Sequence, residues 1–184
     1  MYALDSGAAG IFVPHVATSA DAERLARLVS FAPAGKRGFS PSVRAGSYGL
    51  RGMAAHRHGA RQDFVLVCQI EDPAGVDAAS EIASVEGVDA LFIGPADLAV
   101  AAGYDEMGHP EAMALCERGL AAAKGRVPGA IFVSDLAATE RWRAAGASVF
   151  MVGSDQTMLV AGSASKGVTR AAAEARTGSG TSPS

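Results

Sequence analysis

Phe64-Val-Leu-Val-Cys-Gln-Ile-Glu71 and Val88-Asp-Ala-Leu-Phe-Ile-Gly94 decide how this chain folds. Both runs are short, rich in β-branched and aromatic residues, and edged by Gly, Pro or Asp. An amphipathic stretch, 75–85, lies between them. Apolar runs of this kind read as strands buried on both faces, which is the habit of a parallel sheet. Three more runs, 10–14, 129–133 and 147–153, repeat the pattern. Helices are predicted over 21–31, 110–124, 136–145 and 156 to about 176. In the first of these Leu25, Leu28 and Val29 share a face, and Thr18 with Asp21 forms a capping box. Gly87 and Gly146 stand between helix and strand, where a left-handed residue is expected. The result is an α/β chain of five βα units. A complete (β/α)8 barrel takes about 250 residues. In 184 residues, five units suit an open sheet or part of a barrel, and the pattern leaves both open.

Two segments depart from the alternation. Residues 33–59 are rich in Gly, Ser, Arg and His, and predict a functional loop or one that carries its own small helix. Residues 177–184 contain only Gly, Ser, Thr and Pro and predict a disordered tail after a folded unit spanning 1–176.

Composition narrows the function classes. The chain is 49% hydrophobic and 19% charged with a net charge of −3. That supports a real core and argues against a nucleic-acid partner, which calls for a basic face. No apolar run approaches the roughly 20 residues that cross a bilayer, and no basic leader follows Met1, so no membrane role is expected. Two cysteines, Cys68 and Cys116, suggest no disulfide framework and a cytoplasmic setting. Phosphate-binding glycine loops and the G-x-S-x-G nucleophile motif are absent.

The strongest chemical signal is a pair of carboxylates. Glu71 ends the second strand and Asp97 follows the third, so both fall at the carboxyl edge of neighbouring parallel strands. Alternation puts Val65, Val67, Gln69 and Glu71 on one face. Two carboxylates with open positions suit a hard divalent cation completed by water and substrate oxygens, and such an ion polarises a keto acid. Gly94 lets the backbone come close, and the amides of Ala96 and Asp97 can face a substrate carboxylate. The competing reading makes Glu71 and Asp97 plain polar strand ends, with Asp97 as a helix N-cap. His15 closes the first strand with no visible orienting partner. His56 and His58 flank Arg57 and read as a solvated loop. His109 reads as a helix-start residue, Ser154-Asp155 as a cap, and Arg44 and Ser47 as surface groups of the long loop that could clamp an anion.

The chain resembles the class II, metal-dependent pyruvate aldolases, the family of 4-hydroxy-2-oxoheptanedioate and 2-keto-3-deoxy-sugar-acid aldolases. These sit in the larger group that holds citrate lyase β-type enzymes. The resemblance rests on Leu4-Asp-Ser-Gly-Ala8, Val13-Pro14, Pro33-Ala-Gly-Lys-Arg-Gly38, Gln69-Ile-Glu71, Val85-Glu-Gly-Val-Asp89, Phe92-Ile-Gly-Pro-Ala-Asp-Leu98 and Gly103-Tyr104. It implies a partial (β/α)8 barrel comprising strands four to eight. Metal ligands would fall on Glu71 and Asp97, and substrate contacts on Gln69, Ala96 and Asp97. The ion would be Mg²⁺ or Mn²⁺, with Co²⁺ a further candidate. The partners would be a keto acid and an aldehyde, in a homo-oligomer whose last helix packs on a neighbour. The family's histidine base and carbonyl-polarising arginine lie in a stretch before the position of Met1, so no catalytic residue is assigned, and His15 does not match that base. Two alternatives stay open: a lyase acting on an acyl-CoA or a β-hydroxy acid by the same enolate logic, and an inactive partial barrel that only binds metal.

Overall fold

The computed structural model describes residues 2–165. Its five strands are β1 (Gly10–Val13), β2 (Val65–Ile70), β3 (Ala90–Ile93), β4 (Gly129–Val133) and β5 (Ala147–Val152). All pairs are parallel and the spatial order is the chain order, β1-β2-β3-β4-β5. The helices are α1 (Tyr2–Asp5), α2 (Ser19–Val29), α3 (Met53–Asp63), α4 (Pro73–Ile82), α5 (Pro95–Ala101), α6 (Pro110–Ala123), α7 (Thr139–Ala145) and α8 (Asp155–Ser165). The long 33–59 segment contains a 3₁₀ stretch, Arg44–Gly49, and the start of α3, so it does carry its own helix.

Strand order settles what the pattern left open. In a doubly wound sheet the order reverses at one point and helices cover both faces. Here one large core joins Leu66, Cys68, Ile70, Leu91, Ile93, Ile131 and Val133 to residues of α1, α2, α4, α5, α6 and α7. On the opposite face, among the described residues, the buried apolar cluster is made of strand residues: Val67, Phe92 and Ala130, with Ala90 and Phe132 against them. Phe12 meets Phe92 edge-on at 5.5 Å on that side. A sheet helical on one face, with a side-chain layer on the other, is an arc of a (β/α) barrel seen from its interior. Phe12, Val65, Val149 and Met151 on that inner face are about half exposed.

The alternation of each strand follows from burial. Leu66, Cys68 and Ile70 are fully buried beneath the helices. Leu66 and Ile70 each contribute about 1.5–3 kcal/mol by leaving water. Thr18 caps α2 as predicted: its oxygen accepts from the Asp21 amide at 3.1 Å, and its hydroxyl donates to the Asp21 carboxylate at 2.7 Å. The buried face of α2 differs from the prediction. Ala22, Ala26 and Val29 face the sheet, Leu25 is partly buried, and Leu28 is 46% exposed. Two alanines let the helix approach closely, and that rotation leaves Leu28 in solvent. Gly146 ends α7 with φ +115, and Gly87 also has positive φ, at +102. The predicted helix beyond Ser165 and the tail 177–184 lie outside the described residues. Cys68 and Cys116 are buried free thiols.

Candidate functional site

Glu71 is the first residue past β2, and Gly94 the first past β3. The register pairs Ile70 with Ile93, and the Gly94 amide donates to the Ile70 carbonyl at 3.0 Å. Glu71 and Gly94 are therefore side by side at the carboxyl edge. A Cβ on Gly94 would lie 3.3 Å from Glu71 Cβ and 3.4 Å from both Gln69 Nε2 and Glu71 Oε2. Only the approach to Glu71 Cβ is tighter than ordinary contact, so the missing side chain lets Glu71 sit close against the end of β3.

Glu71 is 4% exposed. Its Oε1 accepts from the backbone N–H of His15 at 2.9 Å, and its Oε2 accepts from Gln69 Nε2. The His15 imidazole also reaches it, with Nδ1 2.9 Å from Oε1. No Lys or Arg pairs with it among the described residues. A buried carboxylate with no Lys or Arg beside it is costly, so the arrangement suits a bound cation.

Gly94, not Asp97, is the N-cap of α5, and Asp97 is that helix's third residue. The reading of Asp97 as a cap is thereby corrected. The Asp97 side chain is exposed and has no hydrogen-bond or ion-pair partner among the described residues. Ala96 and Asp97 stand in the first turn, where backbone amides have no acceptor four residues back. Gln69, Glu71, Ala96 and Asp97 thus share one edge of two neighbouring strands. Among the described residues no three His, Cys, Asp or Glu side chains cluster as a closed metal site. Two all-oxygen ligands with the remaining positions open fit Mg²⁺ or Mn²⁺, which keep waters and substrate oxygens.

The other histidines separate clearly. His56, expected in a solvated loop, is 2% exposed, packed against Phe31 and Phe39 at 5.6 and 5.4 Å. Burial is the main reason its pKa lies below the ordinary histidine value, with the nearby Arg37 charge second. Neither ring nitrogen has a protein partner among the described residues. With Arg37, Arg51 and Asp63, His56 lines a cavity of about 170 Å³ at the amino ends of β1 and β2, the pole opposite Glu71. Arg44 lies against Gly7 near that same pole, so it is not a clamp for the carboxyl edge. Ser47 is exposed on the 3₁₀ stretch. His58 is exposed and within 2.7 Å of Arg57. His109 caps α6 through Nδ1 and stacks on Tyr104 at 3.9 Å, and Ser154 caps α8 by accepting from the Thr157 amide. A groove of about 770 Å³ between α2 and α4 includes none of the carboxyl-edge residues. The contact that sequence reasoning missed is His15 on Glu71. Its only sequence signal is the position of His15 at the end of the strand paired with β2.

The chain is 38% identical over 158 residues to a hydroxypyruvate/pyruvate aldolase of Sagittula stellata, matching 85% of this chain and 62% of that protein. It is 36% identical over 161 residues to a 2-keto-3-deoxy-L-rhamnonate aldolase of Shigella sonnei, matching 85% of this chain and 58% of the relative. It therefore spans about three fifths of these curated relatives. A crystal structure of an HpcH/HpaI aldolase/citrate lyase family protein from Burkholderia cenocepacia superposes with a TM-score of 0.81 at 35% identity, over 95% of this chain and 67% of that one. Residues 1–161 match the family model for HpcH/HpaI aldolase/citrate lyase, and the chain belongs to that family.

Proposed function

We propose that the protein is a divalent-metal-dependent aldolase that forms or cleaves a carbon–carbon bond through a pyruvate enolate. Its substrate would be a 2-keto-3-deoxy or 4-hydroxy-2-oxo acid, with an aldehyde as the second partner. The observation that carries this reading is the buried Glu71 carboxylate at the carboxyl edge, held by neutral donors and by a histidine but by no Lys or Arg among the described residues. The names of the relatives support the substrate class.

Glu71 and Asp97 would hold the ion, Mg²⁺ or Mn²⁺, with Co²⁺ a further candidate. When bound, it would supply Lewis-acid stabilisation for negative charge on the keto-acid oxygen. Gln69 keeps Glu71 Oε2 oriented and presents its amide to the substrate. The first-turn amides of Ala96 and Asp97 offer N–H groups to the substrate carboxylate. Each Glu71 oxygen keeps a second lone pair beyond the one its present donor uses.

A cytoplasmic setting belongs to the same reading and is supported by two buried thiols left unpaired. No described helix is long and apolar enough to cross a membrane. A homo-oligomer is supported by α8, which has no buried residue and exposes Met158, Leu159 and Val160.

The test is deuterium exchange at the pyruvate methyl group, followed by NMR, with Mg²⁺ or Mn²⁺, with chelator, and with Glu71→Gln. Exchange that needs the ion and is lost in Glu71→Gln is the expected result. Exchange that survives chelation would sink the metal assignment, and exchange that survives Glu71→Gln would sink the assignment of that ligand.

A further inference from the structure

We propose that the cavity at the amino ends of β1 and β2 is a binding site for a small oxyanion, a phosphate or a carboxylate, at the pole opposite Glu71. The cavity sits where the strand ladder begins. The Val65 amide donates to the Ala9 carbonyl at 3.0 Å, and Ala9 and Phe64 both line the space. Arg37 comes from the segment after α2, Arg51 from the turn before α3, and His56 from α3 itself. Separate stretches of chain thus deliver nitrogen-bearing side chains to one space of about 170 Å³. Pockets for larger organic ligands run to about 300–1,000 Å³, so this one suits a small ion.

The polar groups around it are incompletely matched. The Arg37 side chain is buried, and its Nη2 donates to Asp5 at 2.8 Å. Its Nε is also buried and has no hydrogen-bond partner among the described residues, and the same holds for both ring nitrogens of His56. Buried donors without an acceptor are costly and native proteins keep few of them, so each points to a bound group that supplies the acceptor. Charge selects an anion for that role. Arg51 Nη1 is engaged by Asp63 at 2.6 Å, and Arg44 lies beside Gly7, another lining residue. Arg37, Arg44 and Arg51 therefore outnumber Asp5 and Asp63. The imbalance is felt at His56: after burial, the charges of Arg37 and Arg51 lower its pKa more than those of Asp5 and Asp63 raise it. A space that is positive at its buried ring and has spare N–H groups suits an oxyanion, whose lone pairs accept from guanidinium and imidazole together.

Thermal unfolding of the metal-free chain tests this, with inorganic phosphate in one series and acetate in another, each replacing chloride at constant ionic strength. Two variants that should still fold locate the site. His56→Phe preserves the ring packing against Phe31 and Phe39 and removes both nitrogens. Arg51→Gln removes one charge from a partly exposed side chain and can still donate to Asp63. We expect a saturable rise in melting temperature with phosphate or acetate, and an apparent dissociation constant about tenfold higher in each variant. The anion that saturates at the lower concentration tells whether the site prefers tetrahedral or planar geometry. No saturable rise with either anion would overturn the proposal and leave the orphaned nitrogens to water. A wild-type dissociation constant in His56→Phe or in Arg51→Gln would overturn it as well, because the anion would then be held elsewhere.

Discussion

Gly94→Ala should damage the carboxyl edge while leaving the fold almost untouched. The backbone there, φ −95 and ψ 92, is open to alanine, so no conformational strain arises. The added carbon would meet Glu71 Cβ at 3.3 Å and Gln69 Nε2 and Glu71 Oε2 at 3.4 Å. Carbon atoms rest at about 3.5–4.0 Å, so Glu71 must retreat by a few tenths of an ångström, whereas the approaches to Gln69 Nε2 and Glu71 Oε2 are ordinary contacts. Alanine stiffens the unfolded chain by about 0.4–1 kcal/mol, which opposes the crowding and the loss of a glycine N-cap. The net stability change should fall within about 1 kcal/mol. Metal affinity should fall further, by about tenfold, because the displaced side chain is the proposed ligand Glu71. Urea unfolding of the metal-free chain and an Mn²⁺ titration measure the two quantities. Unchanged Mn²⁺ affinity would refute the claim that the space over Gly94 sets the carboxylate. A loss of stability well above 2 kcal/mol would show that the glycine serves packing instead.

Three other outcomes follow from burial and charge. Burial pushes the Cys68 and Cys116 thiols from 9.0 up to about 11, so the folded state holds their protons longer than the unfolded chain does. That stabilisation is complete below pH 9 and is lost as pH rises towards 11, by roughly 2–3 kcal/mol per thiol. Urea unfolding at pH 8 and 10.5 should show the loss, and Cys68→Ala/Cys116→Ala should lack it. At His56 the sign is opposite, because burial holds the imidazole neutral and stability falls as the pH drops below 6.5. His56→Phe keeps the ring packing and removes two orphaned nitrogens, so it should gain about 1–3 kcal/mol and flatten the profile between pH 7.5 and 5.5; equal slopes would count against it. Truncation after Ser154 removes the exposed apolar side chains of α8, and should lower the assembly mass in sizing chromatography by more than the deleted residues account for. A mass that falls only by the deleted residues would argue that α8 holds no neighbour.

Strands were legible because burial on both faces leaves unbroken apolar runs, and each observed strand lies inside its predicted stretch. The buried face of α2 was less legible. Leucines dominate any apolar count, yet Ala22 and Ala26 form the contact, and a small residue matters there for the closeness it permits. Whether the sheet opens flat or curves as part of a barrel could not be read from periodicity, and only the family resemblance implied the barrel. That depends on which strand neighbours which and on the side each helix takes, and both are non-local. Sequential strand order, with an inner-face cluster drawn from strands alone among the described residues, supplied the answer.

The same division runs through the site. Gln69 and Glu71 are two residues apart on one strand, so alternation alone puts them together, and Gly94 with Asp97 follows one unit later. His15 is 56 residues from Glu71, and no local pattern joins them. The apolar run ends at Pro14, which made the next residue look like the start of a loop with nothing to face. A left-handed φ at a residue with a side chain cannot be inferred from a Pro-His dipeptide, yet that one dihedral turns the His15 amide onto the carboxylate. His56 shows the converse. Its Gly- and Arg-rich neighbourhood reads as solvated, but Phe31 and Phe39 come from outside α3 to cover it. Chemistry carried by periodicity within one strand was therefore visible in the sequence. The contact that orients Glu71 is a tertiary one made by a strained backbone, and only the folded register brings it into view.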